Sequence, residues 1–201
     1  MARKVLALFE LEEVLFVPAC VPPHKSAISS AFHRFAMLAL ATQQHARLRI
    51  STIELDEPKR PYAVDTVERM QSALGAERHL FFMIGADSWS EITTWHEWQR
   101  LLRMCDLIVV TRPGYDLSRS IANASAQIVD VRGASQREKS EALAGGDGVK
   151  GPRVFLTDAA MVDISATEIR AAARAGESDK LRAMVPVAVA SHIEKYELYK
   201  N

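Results

Sequence analysis

Short, continuously apolar runs recur along this chain, and segments of helical periodicity lie between them. The runs comprise residues 14–17, 79–84, 107–110 and 154–156. Runs of this length without polar alternation are typical of strands that are buried on both faces, as in a parallel sheet. Apolar residues recur at helical spacing over residues 31–44 and 64–74 between them. The alternation predicts an α/β fold with a mostly parallel sheet, in which ligands bind at the carboxyl ends of the strands.

The rest of the chain adds fewer elements. Alternation predicts a strand over residues 48–55, and helices are predicted over 95–104, from Ser165 onward and over 187–199. Residues 132–151 are rich in Gly, Ser, Glu, Lys and Ala, which favours a flexible insertion loop. A length of 201 residues suits a single domain over 1–201, with a helical part that starts at residue 165.

Composition excludes several classes of protein. Lys and Arg number 25, as do Asp and Glu, so the formal charge of 0 argues against a general nucleic-acid surface. The two cysteines exclude a disulfide scaffold and fit a reducing compartment, and we expect a cytoplasmic protein. No apolar run reaches the ~18 residues of a membrane span, and the N-terminus has no signal-peptide cleavage site. Neither a metal-ligand spacing of His or Cys nor a nucleophile elbow is present, and the oligomeric state is left open.

The strongest local pattern is residues 164–170, Ile-Ser-Ala-Thr-Glu-Ile-Arg. Ser165 is a good helix N-cap, and Glu168 three positions later completes a capping box, while Gly176 predicts the helix end. The free N–H groups of such a helix start attract anions, and the hydroxyls of Ser165 and Thr167 with the guanidinium of Arg170 add donors. The alternative is a well-capped helix without a ligand, because capping boxes are common.

Two further motifs offer candidates for ligand contact, the turn after a predicted strand and a pair of tryptophans. Gly85 and Asp87 come directly after a buried strand, where a glycine admits a ligand and a carboxylate can hold sugar hydroxyls. An ordinary capped turn explains them equally well. Trp95 can stack on a flat ring or belong to the core, as Trp98 does by default.

Basic residues stand at three loop or helix-start positions. Lys25 lies in the stiff loop Pro22-Pro23-His24-Lys25, Arg34 begins a helix, and Arg112 closes a strand before Pro113 and Gly114. Arg112 is a candidate for contact with a phosphate or a base, whereas a solvated surface is the default explanation for Lys25 and Arg34.

Taken in order, these motifs resemble the bacterial nicotinate-nucleotide adenylyltransferase family over nearly the whole chain. The residues that carry the resemblance are 14–18, Pro22-Pro23-His24-Lys25, His33-Arg34, Met37-Leu38, Pro61-Tyr62, Asp65-Thr66, 84–88, Thr94-Trp95, Arg112-Pro113-Gly114 and 164–170. The family's opening strand, its Gly-Gly-Thr-Phe-Asp-Pro-type loop and its His-x-Gly-His motif have no counterpart here. We therefore expect a Rossmann-like parallel sheet flanked by helices with the first strand missing, and a natural start upstream of Met1.

The resemblance implies a reaction and a set of roles. The adenylyl group of ATP passes to nicotinate mononucleotide, giving deamido-NAD and pyrophosphate, with Mg²⁺ held mainly by the ATP phosphates. Ser165, Thr167 and Arg170 would hold the ATP phosphates, and Gly85, Asp87 and Arg112 the adenosine region. Trp95 would stack on the nicotinate ring, and Tyr62, Asp65 and Thr66 would supply donors to its carboxylate. Lys25 and Arg34 would face the substrate phosphate.

Two alternatives remain open from the sequence. A related adenylyltransferase of the same fold would act on nicotinamide mononucleotide or phosphopantetheine. An N-terminally truncated and catalytically impaired chain would bind nucleotides without turning them over.

Overall fold

The structure is a computed structural model that describes residues 1–20, 29–56, 61–75, 77–111, 127–144, 151–158 and 164–200. Its contacts divide the chain into two compact units. Unit 1 comprises Met1–Glu12 and Pro61–Val162, and unit 2 comprises Glu13–Arg60 and Asp163–Asn201. The single domain inferred from chain length stays a prediction, because such a division defines compact units and does not test which parts fold independently.

Helices and strands alternate along most of the chain. In chain order they are α1 Ala2–Leu8, β1 Val14–Phe16, α2 Ala31–Thr42, β2 Leu48–Ile50, α3 Ala63–Leu74, β3 Phe81–Gly85, α4 Ala86–Ser90, a 3-10 turn Ile92–Thr94, α5 Trp98–Met104, β4 Asp106–Val110, β5 Gln127–Asp130, α6 Gln136–Ala144, β6 Arg153–Thr157, α7 Ala166–Ala175, α8 Ser178–Met184 and α9 Val187–Lys195. The predicted parallel α/β fold is confirmed.

Unit 1 is built on a four-stranded parallel sheet in the order β3-β4-β6-β5. Every residue of β4 is buried. Its side chains alternate between two apolar clusters, because successive residues of a strand point to opposite faces. Leu107 and Val109 belong to the cluster lined by α3 and α5, and Ile108 and Val110 to the cluster lined by α1. Helices therefore cover both faces of this sheet.

Unit 2 carries a two-stranded parallel sheet in which β1 pairs with β2. Its core is mainly helical. Ala172 and Ala173 of α7 pack with Leu181 of α8 and Ala190 of α9, and Met37 and Leu40 of α2 lie against this cluster. Small alanine side chains suit close packing of helices against one another. The sheet of unit 1 packs against its helices with larger side chains instead.

Three predicted elements differ in the structure besides the helix expected over 187–199, which ends at Lys195. The strand expected over 48–55 ends at Ile50, because its partner β1 ends at Phe16 and pairing stops one bond later, where Ser51 N–H donates to the Phe16 carbonyl at 2.9 Å. The helix expected over 95–104 begins at Trp98, because Trp95 has extended backbone and Glu97 has a φ of 48°.

The third difference lies within residues 132–151, where composition predicts a flexible insertion loop. Helix α6 occupies Gln136–Ala144. Glu138 accepts a hydrogen bond from the Ser135 N–H at 2.7 Å, and Arg137 donates to Glu141 one turn later at 2.8 Å. Leu143 packs against the cluster that contains Val5 and Phe155. Local capping and apolar contacts thus form a helix over Gln136–Ala144, where composition favours a loop.

Candidate active site

The N-terminus of α7 has the capping box that the sequence predicts. The Ser165 Oγ accepts a hydrogen bond from the Glu168 N–H at 3.1 Å, and Glu168 Oε2 accepts one from the Ser165 N–H at 2.8 Å. Gly176 ends the helix in the left-handed region, with a φ of 71°. The Ser165 hydroxyl hydrogen is not used in the capping bond, so it can still donate to an anion.

Thr167 and Arg170 lie next to each other in the first two turns of α7. Arg170 is half-buried, and its Nη2 lies 3.4 Å from the Thr167 Oγ1. The first turn of a helix carries N–H groups without intrahelical partners and the positive end of the helix dipole. Ser165, Thr167 and Arg170 are therefore brought together where a phosphate is favoured, and the guanidinium fork can contact two phosphate oxygens.

In unit 1, Gly85 and Asp87 lie at the carboxyl end of β3. Gly85 is exposed, pairs with Val110 of β4 and precedes α4, whose first turn contains the exposed Asp87. Two neighbouring parallel strands thus end at the same edge. Polar side chains that follow them can meet one ligand there, as in other open α/β sheets.

Trp95 lies beside the core and is only partly buried. Its ring meets Phe82 edge-on at a centroid distance of 6.3 Å and packs against the cluster that also receives Ala63 of α3. These contacts agree with the core alternative for Trp95, and its stacking on a ligand stays a prediction. Trp98 is also partly buried against this cluster, in agreement with its default assignment.

Tyr62 and His96 form an exposed aromatic pair near the start of α3. Their rings stack at a centroid distance of 4.1 Å with 29° between the planes, and the Tyr62 side chain is 52% exposed. His96 follows Trp95 directly, so the pair connects the Tyr62 segment to the tryptophan turn. Sequence reasoning missed His96, because nothing in its spacing distinguishes it from a solvated histidine.

Asp65 and Thr66 are engaged in capping α3. Asp65 Oδ2 accepts a hydrogen bond from the Tyr62 N–H at 3.0 Å, and the Thr66 hydroxyl donates to the Tyr62 carbonyl at 3.2 Å. The Thr66 side chain is buried. Both side chains thus fix the backbone on which Tyr62 stands, and any role in contacting a substrate stays a prediction.

Arg34 of α2 binds backbone carbonyls within unit 2. Its guanidinium donates to the carbonyls of Ala19, Cys20 and Ser29, and the bond to Cys20 measures 3.1 Å. These carbonyls belong to residues on either side of 21–28, which lie outside the described residues, and the predicted contact of Arg34 with a substrate phosphate stays a prediction. Lys25 and Arg112, the other two basic candidates, lie outside the described residues.

The described ranges hold no group of three or more His, Cys, Asp or Glu side chains arranged to bind a metal ion. None of the helices in these ranges is both long and apolar enough to span a bilayer.

Comparisons with known families define the class to which this chain belongs. The model of the cytidylyltransferase-like family matches residues 1–172. A solved nicotinic acid mononucleotide adenylyltransferase of Plasmodium falciparum, complexed with NaAD, superposes with a TM-score of 0.69 at 16% identity, covering 97% of this chain and 89% of that one. The chain is thus a nucleotidyltransferase with a Rossmann-like fold.

Curated relatives narrow the assignment. A probable nicotinate-nucleotide adenylyltransferase of Thermoanaerobacter sp. is 32% identical over 100% of this chain and 86% of its own length. Another from Pseudomonas aeruginosa is 33% identical over 96% of this chain and 85% of its own length. The chain belongs to the nicotinate-nucleotide adenylyltransferase family.

Proposed function

We propose that this protein transfers the adenylyl group of ATP to nicotinate mononucleotide, with deamido-NAD and pyrophosphate as products. Similarity over the full chain to nicotinate-nucleotide adenylyltransferases supports the reaction. The structural observation that carries the proposal is the capped start of α7, where Ser165, Thr167 and Arg170 present donors to an anion.

The chemistry needs no protein nucleophile. A 5′-phosphate oxygen of nicotinate mononucleotide attacks the α-phosphorus of ATP, and the bond from that phosphorus to the bridging oxygen of pyrophosphate breaks. The attacking group is already an anion, so catalysis consists of alignment and of neutralising the charge that builds on the leaving phosphates. Fixed N–H dipoles and a guanidinium supply this neutralisation without reorganising in the transition state.

Residues of the two units have separate roles in this proposal. Ser165, Thr167 and Arg170 of unit 2 hold the ATP phosphates. Gly85 and Asp87 of unit 1 hold the adenosine ribose. Arg112 is assigned to the same adenosine region by the family resemblance. This division makes Arg170 a determinant of turnover and Trp95 a determinant of acceptor affinity.

The pyridine end of the acceptor is assigned to unit 1. Trp95 stacks on the nicotinate ring with the part of its indole that the core leaves uncovered. Tyr62 lies beside the ring, and its position is fixed by Asp65 and Thr66 through the cap of α3. Lys25 and Arg34 are the residues proposed to meet the acceptor phosphate, and the Arg34 guanidinium also donates to the carbonyls of Ala19, Cys20 and Ser29.

Mg²⁺ accompanies ATP as its phosphate complex in this proposal. Magnesium keeps much of its hydration and binds phosphates readily, so a dedicated protein cage is not required. The donors at the start of α7 suit this assignment, because their N–H and O–H groups can bind phosphate oxygens. The Mg²⁺ ion is then bound by the triphosphate itself. A homo-oligomer is compatible with the sequence, which leaves the oligomeric state open.

The deciding experiment measures pyrophosphate release from Mg·ATP with nicotinate mononucleotide, nicotinamide mononucleotide and phosphopantetheine as acceptors in parallel. We expect the highest kcat/KM with nicotinate mononucleotide. A clear preference for another acceptor would reassign the substrate within the fold, and ATP binding without pyrophosphate release would favour the impaired nucleotide-binding alternative.

A further inference from the structure

Two histidines that are distant in sequence meet between α2 and α9 of unit 2. His33 Nδ1 lies 3.1 Å from His192 Nε2, although 159 positions separate the two residues. The Tyr196 ring lies against both, at centroid distances of 5.0 Å from His33 and 4.7 Å from His192. No part of the adenylyl-transfer proposal uses this cluster.

The distance between the two ring nitrogens suits a shared metal ion. Imidazole nitrogens bind zinc and similar ions at about 2.0–2.1 Å, so two nitrogens separated by 3.1 Å subtend an angle of about 100° at the metal. That angle lies between the values of octahedral and tetrahedral coordination. In the absence of metal, one ring donates its N–H to the other, and metal binding moves that hydrogen to the other nitrogen of the same ring by tautomerisation.

Both rings stand on helices, since His33 lies in α2 and His192 in α9. Lys195 lies over the Tyr196 ring at 5.5 Å. His33 sits in the first turn of α2, where its backbone N–H donates to the capping Ser30 Oγ at 3.3 Å, so its backbone is fixed.

Solvent can reach the cluster, since the Tyr196 side chain is 51% exposed. We propose that His33 and His192 form a two-histidine chelate for a borderline divalent transition-metal ion, such as Ni²⁺ or Zn²⁺, with water in the remaining coordination positions. Such a site selects against Mg²⁺, which prefers oxygen ligands. The bound ion would connect α2 to α9 and stabilise unit 2.

Isothermal titration calorimetry of the full chain with Ni²⁺, Zn²⁺ and Mg²⁺, without nucleotide, tests the site. We expect one Ni²⁺ or Zn²⁺ per chain and no displacement by Mg²⁺. His33→Gln and His192→Gln should each lower the Ni²⁺ affinity at least about tenfold. His45→Gln removes a histidine from the same unit but away from the pair, and it should leave the affinity unchanged.

A measurement on the unmodified chain covers the case in which a variant fails to fold. Substoichiometric Cu²⁺ should broaden the ring resonances of two histidines and of Tyr196 first in the proton NMR spectrum. Metal at a hundredfold excess over Kd should raise Tm by ~5–10 °C, since a ligand that binds only the folded state stabilises it. Equal Ni²⁺ affinity in wild type, His33→Gln and His192→Gln, or broadening of other histidines first, would overturn the site.

Discussion

The two units bury their apolar side chains in different ways. In unit 1, the sheet has helices on both faces, and the central strands are continuously apolar because neither face meets water. In unit 2, the sheet has only two strands, of three residues each, and the core consists mainly of helices. The candidate residues Gly85 and Asp87 therefore stand at strand-end turns of a buried sheet in unit 1, and Ser165, Thr167 and Arg170 stand at a helix start in unit 2.

The two units also differ in how deeply their ion pairs are buried. Unit 1 buries Asp106, whose carboxylate accepts hydrogen bonds from the Arg153 N–H at 2.6 Å and from the Arg153 guanidinium at 3.1 Å. The Arg153 side chain also donates to two carbonyls at the end of α6 and lies over the Phe155 ring. In unit 2, the ion pairs Arg49–Glu13 and Arg182–Glu194 are partly exposed. Stability should therefore depend on charge far more in unit 1.

The largest expected effect comes from Asp106→Ala. The variant leaves the Arg153 guanidinium without its carboxylate in a site where Arg153 is only 14% exposed. Removing one partner of a buried pair costs about 3–5 kcal/mol, which urea denaturation should show as a lower free energy of unfolding. Arg182→Ala, at a partly exposed pair of unit 2, is the control and should cost no more than about 1 kcal/mol. Equal losses in the two variants would contradict the contrast between the units.

Arg170→Ala tests the helix start of unit 2. Loss of a fixed charge contact in the transition state should lower kcat by about 10²–10³ while unfolding in urea is little changed. Arg170→Lys should recover part of the rate, since lysine keeps the charge but not the fork. Arg174→Ala removes an exposed arginine from the last turn of the same helix and should leave kcat unchanged. A kcat in Arg170→Ala that matches wild type would remove the phosphate role from α7.

Trp95→Ala tests the aromatic position of unit 1. Stacking of one ring is worth about 1–3 kcal/mol, so KM for nicotinate mononucleotide should rise about tenfold or more while KM for ATP changes little. Trp95→Phe keeps a flat ring, so its KM for nicotinate mononucleotide should lie between the values of wild type and Trp95→Ala. If KM for ATP rises as much as KM for the acceptor, the separate roles of the two units are wrong.

The smallest effect concerns pH and unit 2. The pKa of His192 is lowered in the folded chain from its ordinary value of 6.5, so between the two values the unfolded chain binds more protons. Stability is then complete above pH 6.5 and falls as the pH drops through that value towards the lowered folded pKa. Thermal unfolding from pH 8 to pH 5 should show this loss, and His192→Gln should flatten the profile. An identical profile in the variant would assign the acid sensitivity to other groups.

Local sequence was enough for much of the fold and for one part of the site. Apolar runs predicted the strands β1, β3, β4 and β6, because burial on both faces leaves a direct signature in composition. The capping box at Ser165 and the helix end at Gly176 were also predictable, because every hydrogen bond in them joins residues within one short segment. The flexible loop expected over 132–151 failed at α6, where capping and the contact of Leu143 outweigh composition.

By itself, then, the sequence determined the parallel α/β architecture, the capped start of α7 and the family of the chain, since these depend on periodicity and on neighbours along the backbone. Only the tertiary structure decided which distant side chains meet. It stacked His96 on Tyr62, bound Arg34 to the Cys20 carbonyl, joined Asp106 to Arg153 and placed His33 against His192. These contacts join residues 14 to 159 positions apart, and nothing in the local pattern encodes the pairing.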